Sequence, residues 1–330
     1  MSQPATQEPP APRAEFAVSV DLTAVVVAVT DDQPRVLIVR PVEALTGERL
    51  DALPSGPLEL GHRTLESGLR AWVEAQARAK LGYIEQLYTF GDRDRTALNV
   101  PIGRILSIGY LALARETGAA AANTSWQDWY RYFPWEDWRR GRPPILDRLE
   151  PRLRRWVTVG PSRVEQTTRK TRISVAFGLD GARWSEERVL ERYELLYEIG
   201  LAAEAHRDGS PTGFAESDVP TEAQPMTADH RRILATGIAR LRGKIKYRPV
   251  VFELMPPAFT LLQLQRTVEA LAGLRLHKQN FRRLVAQQGL VEETGRMVTG
   301  TGGRPAREVR FRQEVLVERP APGLRLPIAR

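Results

Sequence analysis

Phe16–Val29 reads FAVSVDLTAVVVAV, a run so rich in β-branched residues that it favours a pleated, buried strand over any surface helix. The polar turn DDQPR follows, and Val36–Arg40 supplies a second apolar segment, so the pair is expected to form a buried hairpin. Between Leu65 and Leu81, Leu65, Leu69, Trp72 and Val73 fall at helical spacing with charged residues between them, which predicts an amphipathic helix. Ile84–Phe90 and Arg104–Ala114 read as further strands. The order strand, strand, loop, helix, strand, strand predicts an α/β domain with a mixed sheet.

Those elements span less than half of the 330 residues, and charge is divided unevenly along the chain. Residues 231–330 hold 20 Lys+Arg against 7 Asp+Glu, a net of +13, whereas residues 1–230 hold 28 against 33, a net of −5. The asymmetry suggests that one part meets a polyanion and the other does something else, although a basic solvated surface has the same composition. There are no cysteines and only 4 histidines, so disulfide frameworks and thiolate metal sites are excluded and no metal is expected. The leader, residues 1–15, is polar and Pro-rich without an apolar core. No apolar run approaches the roughly 18 residues that span a bilayer. A cytoplasmic location and no membrane partner are expected.

Leu53–Gly82 reads LPSGPLELGHRTLESGLRAWVEAQARAKLG and resembles the Nudix box: Gly, five residues, Glu, seven residues, Arg-Glu-apolar-x-Glu-Glu-x-Gly. Gly56, Arg70 and Glu74 hold their places. The first Glu is His62, the Glu after the Arg is Ala71, the last Glu is Ala75 and the final Gly is Ala77. The box chemistry needs clustered carboxylates, because Mg²⁺ is a hard cation that must neutralise a diphosphate while water attacks. Alanine neither coordinates nor acts as a base, and histidine is a poor magnesium ligand. The resemblance therefore implies a Nudix-like fold without catalytic residues, in which nucleotide still binds without being cleaved. Arg70 has a second reading, as a helical i,i+4 partner of Glu74. Tyr83–Arg95 (YIEQLYTFGDRDR) and Arg104–Ala114 are similar to segments of the Nudix-related regulators of NAD metabolism, the NrtR group.

Five of the seven tryptophans, Trp126, Trp129, Trp135, Trp138 and Trp156, lie in residues 115–170. They are read as aromatic packing of an insertion or of an interdomain contact, with a base-stacking platform as the other reading. Glu186–Ala205 is expected to be a helix, and 206–229 a flexible linker from its Gly, Ser, Pro and acidic content.

In the C-terminal hundred residues, Thr260-Leu-Leu-Gln263 is a capping box that starts a helix. Gly273 stops it, and a second helix near His277–Gln288 is closed by Gly289. With Phe281, Leu284 and Val285 inward, Lys278, Gln279, Asn280, Arg282 and Arg283 face outward as a recognition surface, since Arg and Gln can bond base edges while Lys and Arg neutralise phosphates. LVEETGRMV, TGTGGRP and AREVRFR read as a basic hairpin carrying Arg304 and Arg307. Two helices and such a hairpin make a winged helix-turn-helix, with Lys244 and Lys246 of RLRGKIKYR as further DNA contacts. Phe252–Pro256, Phe259–Leu261, Gln263–Gln265 and Gln279–Arg283 are again similar to NrtR segments. The chain's length resembles the NadQ subgroup, for which the effector implied is ATP rather than ADP-ribose.

The expected fold class is α+β: an N-terminal Nudix-like mixed α/β sandwich over 16–205 and a winged helix-turn-helix over 230–330. The expected function is a repressor of NAD biosynthesis genes that binds a palindromic double-stranded DNA operator as a homodimer. It requires no cofactor and senses a nucleotide effector, ATP or ADP-ribose, through Arg40, Arg70, Glu74, Arg93 and Arg95. The alternatives are a Nudix hydrolase of nucleoside diphosphate derivatives recruiting Glu59, Glu66, Asp92 or Asp94, with a nucleic-acid-tethering domain, and an RNA-binding protein.

Overall fold

The computed structural model describes residues 18–40, 50–91, 104–116, 123–210, 212–299, 305–318 and 323–324. Strands β1 (Val18–Thr30) and β2 (Gln33–Val39) form the expected hairpin. Asp31 and Asp32 at its tip both have positive φ, 51° and 60°, the backbone twist that a two-residue hairpin turn requires. β3 (Ser55–Pro57) pairs antiparallel with the first half of β1. After α1 (Leu65–Ala77) come β4 (Ile84–Phe90) and β5 (Arg104–Leu113), and β5 lies parallel to β1 along ten residue pairs. The sheet is completed by β6 (Thr124–Asp128) on the far side of β2, giving the order β4-β5-β1-β2-β6 with β3 beside β1.

Both faces of β1 are buried, and strand alternation divides its side chains between two clusters. Leu22, Ala24 and Val26 pack with Leu69, Val73 and Ala77 of α1. Val25 and Val27 point the other way, into a larger cluster with the helices that follow. Those are α2 (Leu146–Thr158), α3 (Arg163–Phe177), α4 (Val189–Ile199), α5 (Ala203–Arg207) and α6 (His230–Tyr247). α6 lies across β1, β4 and β5, so the sheet is sandwiched between α1 and α6. A Cβ on Gly237 of α6 would come within 2.8 Å of Val25, which shows how closely helix and sheet approach.

Several expectations need correction. The tryptophan-rich segment follows the packing reading and not the base-stacking one: β6 is an edge of the sheet, Trp129, Trp135 and Trp156 are buried, and stacking on bases is closed to those three rings. The helix expected over 186–205 breaks at Gly200 (φ 86°), which caps α4, and α5 begins three residues later at Ala203. The 206–229 segment is not a free tether in its described part. Phe214, Ala223 and Met226 are buried, Thr227 N donates to Asp51 O at 3.0 Å, and Met226 N to the buried Glu204 carboxylate at 3.0 Å. Its Gly, Ser and Pro content reflects a tight path over the body rather than slack.

The chain ends in a second, smaller unit: β7 (Phe259–Thr260), α7 (Leu261–Ala272), α8 (Lys278–Gln288), the hairpin β8 (Val291–Val298) and β9 (Ala306–Phe311), and the short α9 (Val315–Glu318). β7, β9 and β8 form a separate three-stranded sheet. Together this is a Nudix-like domain joined to a C-terminal winged helix domain, a mixed α and β architecture. Among the described residues no helix is long and apolar enough to cross a membrane.

Candidate nucleic-acid interface and nucleotide site

In the winged unit the local signals act as expected. Thr260 Oγ1 accepts from Gln263 N at 3.2 Å while Gln263 Oε1 accepts from Thr260 N at 2.7 Å, so the box closes reciprocally over the start of α7. Gly273 (φ 70°) and Gly289 (φ 57°) end α7 and α8 in the left-handed conformation. The turn between the helices is pinned from inside: Glu269 Oε1 accepts from Gln265 Nε2 and Leu276 N, each at 2.8 Å, and Gln265 Nε2 donates to Leu276 O at 2.9 Å. These bonds satisfy the backbone of the turn and fix the angle at which α8 leaves α7. A groove of about 420 Å³ runs beside it, lined by Gln265, Glu269, Arg275, His277 and Lys278 among others.

Phe281 and Val285 are buried under α8 and Leu284 is half-buried. Lys278, Gln279, Asn280, Arg282 and Arg283 are all exposed. No ion pair or side-chain hydrogen bond engages these five among the described residues, in a protein whose other arginines are mostly paired. On the adjoining wing Arg307 pairs with Glu293 at 2.5 Å and Arg310 with Glu292 at 2.6 Å. Arg304 lies outside the described residues.

Lys244 and Lys246 sit elsewhere, on the last turn of α6 against the body. Lys244 bonds the Glu85 carboxylate and Tyr83 Oη; partial burial opposes its charge, but these two partners outweigh it and hold its pKa above the ordinary lysine value. Lys246 pairs with Glu186 at 2.7 Å and Glu187 at 2.5 Å. Both cations serve internal pairs, which no sequence-local pattern signalled.

The body grips α7 at its C-terminus. Tyr130 Oη donates to Ala270 O at 2.7 Å, Arg242 Nε to Leu271 O at 2.9 Å, and Trp138 N to Gly273 O at 2.8 Å. Arg242 and Arg192, both fully buried, share the buried Glu136 carboxylate, at 2.6 Å and 2.5 Å. A Cβ on Gly273 would stand 2.3 Å from Glu136 O, so this stop glycine is also a packing requirement. These residues were missed in the sequence because their partners lie on other elements.

At the degenerate box, Gly56 comes so near Trp72 that a Cβ would lie 2.3 Å from its ring, which accounts for the box glycine without chemistry. The α1 side chains at the family's carboxylate positions, Ala71, Glu74 and Ala75, all face solvent. His62 accepts from Glu59 N at 3.1 Å and meets Trp72 edge-on. The pairing of Arg70 differs from the i,i+4 partner expected: it bonds Glu66, one turn earlier, at 2.9 Å, and donates to Leu81 O at 2.6 Å and Gly82 O at 3.2 Å. The two carbonyls draw it toward the α1–β4 connection and away from Glu74. Arg40 bonds Asp51 at 2.7 Å, and that bond raises its pKa. No hydrogen bond or ion pair joins Arg40 to Arg70 or Glu74 among the described residues. Arg93, Arg95, Asp92 and Asp94 lie outside them, and the described residues hold no cluster of three His, Asp or Glu able to bind a metal.

Residues 251–311 match the NrtR DNA-binding winged helix domain. The chain is also 42% identical over 86 residues to a protein named ADPR responsive transcriptional repressor NtrR, from Acinetobacter baylyi. That alignment takes in 26% of this chain and 34% of the relative, so about a third of the relative's length is spanned. Among solved structures, Shewanella oneidensis NrtR complexed with a 27mer DNA aligns at a TM-score of 0.53 and 20% identity, covering 90% of this chain and 95% of that one. A second structure of Shewanella oneidensis NrtR aligns at 0.52 with the same identity and coverage. At that identity the likeness is one of fold, and it extends over both the Nudix-like body and the NrtR-type winged helix.

Proposed function

We propose that this chain is a transcriptional repressor of the NrtR type: the winged helix binds duplex DNA, and the Nudix-like body senses a nucleotide without hydrolysing it. The observation that carries the reading is the α8 surface, where Lys278, Gln279, Asn280, Arg282 and Arg283 stand exposed and, among the described residues, unengaged on a helix whose angle is pinned by Glu269 and Gln265. Unpaired cations on a rigid helix meet phosphates without first breaking internal bonds, and Gln, Asn and Arg carry the donors that read base edges. The similar Acinetobacter protein is described as ADPR-responsive, which favours ADP-ribose over ATP as the effector. Arg40, Arg70, Glu74, Arg93 and Arg95 are its proposed contacts. Against hydrolysis stand the alanines at 71 and 75 and the engagement of Glu66 by Arg70. The operator is a palindrome bound by a homodimer, and its genes are those of NAD synthesis.

The deciding experiment is a mobility shift at fixed salt with the best duplex recovered from a random library, with ADP-ribose and then ATP added. Salt is held constant because it alone moves such affinities by orders of magnitude. A single sequence-specific site whose occupancy changes with one nucleotide supports the reading. Binding indifferent to sequence, or Mg²⁺-dependent turnover of either nucleotide, would sink it.

A further inference from the structure

Directly after β6 the chain makes a 3-10 turn, Trp129–Arg131, N-capped by Asp128, whose Oδ1 accepts from Tyr130 N at 2.9 Å. Two tyrosines leave this turn in different directions. Tyr132 Oη donates to Asp51 Oδ2 at 2.6 Å, and the other oxygen of that carboxylate holds Arg40 Nε at 2.7 Å. Tyr130 Oη donates to Ala270 O, in the last turn of α7, at 2.7 Å, and receives Arg242 Nη2 at 3.3 Å. We propose that Asp51 and this turn link an anion bound at Arg40 to the orientation of the helix-turn-helix, with Tyr132 and Tyr130 as positioning residues at its two ends. The inference rests on the sensing reading above.

The physical case has three parts. First, the turn is stiff. Trp129, Tyr132 and Phe133 are buried with at most 1% exposure, and Arg231 donates twice to Tyr132 O, at 3.0 Å and 2.6 Å, so displacement at one end is not absorbed within it. Second, Arg40 is accessible: its side chain is 41% exposed while Asp51 is 10% exposed. A diphosphate oxygen arriving from solvent can therefore compete with Asp51 for the guanidinium, and a carboxylate losing that partner is drawn to its remaining donor, Tyr132. Third, the far end has leverage. Ala270 and Leu271 expose the C-terminal carbonyls of α7 that the helix cannot satisfy itself, and their donors are Tyr130 and Arg242. Since α8 follows through a turn locked by Glu269, a shift of α7 carries α8 with it.

The test compares the wild-type chain with Tyr132→Phe and Tyr130→Phe. Each removes one hydroxyl from a buried ring, and thermal unfolding checks that both variants fold. The readout is the ratio of Kd for the library-selected duplex with and without saturating ADP-ribose, at fixed salt. Ordinary allosteric coupling gives about a 5- to 150-fold ratio for the wild type. The expected result is that both variants bind the duplex within a few-fold of wild type when ADP-ribose is absent, and still bind ADP-ribose, while the ratio collapses toward one. A purely structural role would weaken stability or both affinities and leave the ratio intact. Variants that keep the wild-type ratio overturn the link while leaving the sensing reading standing. A wild-type chain that responds to no nucleotide overturns the sensing reading, and the link falls with it.

Discussion

Helices α1 and α8 are alike on paper. Both are amphipathic, both end on a residue in the left-handed conformation, Arg78 and Gly289, and both carry basic side chains outward. They differ in what those side chains have already met. On α1, Arg70 is held by Glu66 and by the carbonyls of Leu81 and Gly82, and the positions that carry carboxylates in a working box are alanines or face solvent alone. On α8 the exposed Lys278, Arg282 and Arg283 have no internal partner among the described residues. A cation already satisfied stiffens its own domain, whereas one left free on a fixed helix is available to a polyanion, so residue type alone did not separate structural from functional charge.

The largest expected effect breaks the platform on which the comparison depends. Glu136→Leu would leave the guanidiniums of Arg192 and Arg242 buried without their carboxylate, and stranding charge in this way costs about 3–5 kcal/mol. Urea denaturation of the full chain should show that loss, and Leu271 should no longer be held firmly because Arg242 is freed to move. A fall below about 1 kcal/mol would mean that water reaches the cluster and that the grip on α7 is weak.

Arg282→Ala and Arg283→Ala are next. If either side chain reads a base edge, duplex affinity falls by about 1–3 kcal/mol, roughly 5- to 150-fold, with relaxed specificity at one position. A phosphate contact instead gives a uniform loss and a shallower salt dependence. Since both residues are exposed and unpaired among the described residues, urea midpoints should hardly move, about 0.5 kcal/mol at most. A destabilised but normally binding variant would reverse the roles assigned to the two helices.

Signals carried by neighbours in sequence were legible. Thr260 and Gln263 close the box they announce, Gly273 and Gly289 stop the helices they follow, and the strands around Asp31 and Asp32 form a hairpin. What escaped was decided by distant partners. β6 joins the sheet through β2, about ninety residues earlier, and its sequence TSWQD has little of the strand pattern. α6 has an ordinary amphipathic pattern that does not say whether a sheet or another helix will cover it. Lys244 and Lys246 looked like phosphate contacts within a basic run, yet Glu85, Glu186 and Glu187 reach them from other elements. At the site itself the outward face of α8 was readable from helical periodicity, while the fate of Arg70 turned on the carbonyls at the end of the box.

Arg70→Ala sharpens the other side of the comparison. It removes two hydrogen bonds to carbonyls and a surface pair with Glu66, and because the side chain is 41% exposed, water replaces much of what is lost. A destabilisation of about 1 kcal/mol is expected, with duplex affinity unchanged in the absence of nucleotide. Isothermal titration with ADP-ribose then separates two roles: affinity unchanged assigns Arg70 to the fold alone, and a tenfold loss adds it to the effector site.

The smallest effect lies on the wing, which is intermediate between the two helices because Arg307 and Arg310 are exposed yet paired. Arg307 must release Glu293 before it can neutralise a phosphate, and an exposed pair of this kind is worth about 0.2–1 kcal/mol. Glu293→Gln removes that competition and one local negative charge without emptying the position. Duplex affinity should therefore rise, by about 1.5- to 5-fold at low salt, and the gain should fade as salt screens both interactions. Unchanged or weaker binding would show that Arg307 stays with Glu293 and that the duplex is met by cations without an internal partner, those of α8 foremost.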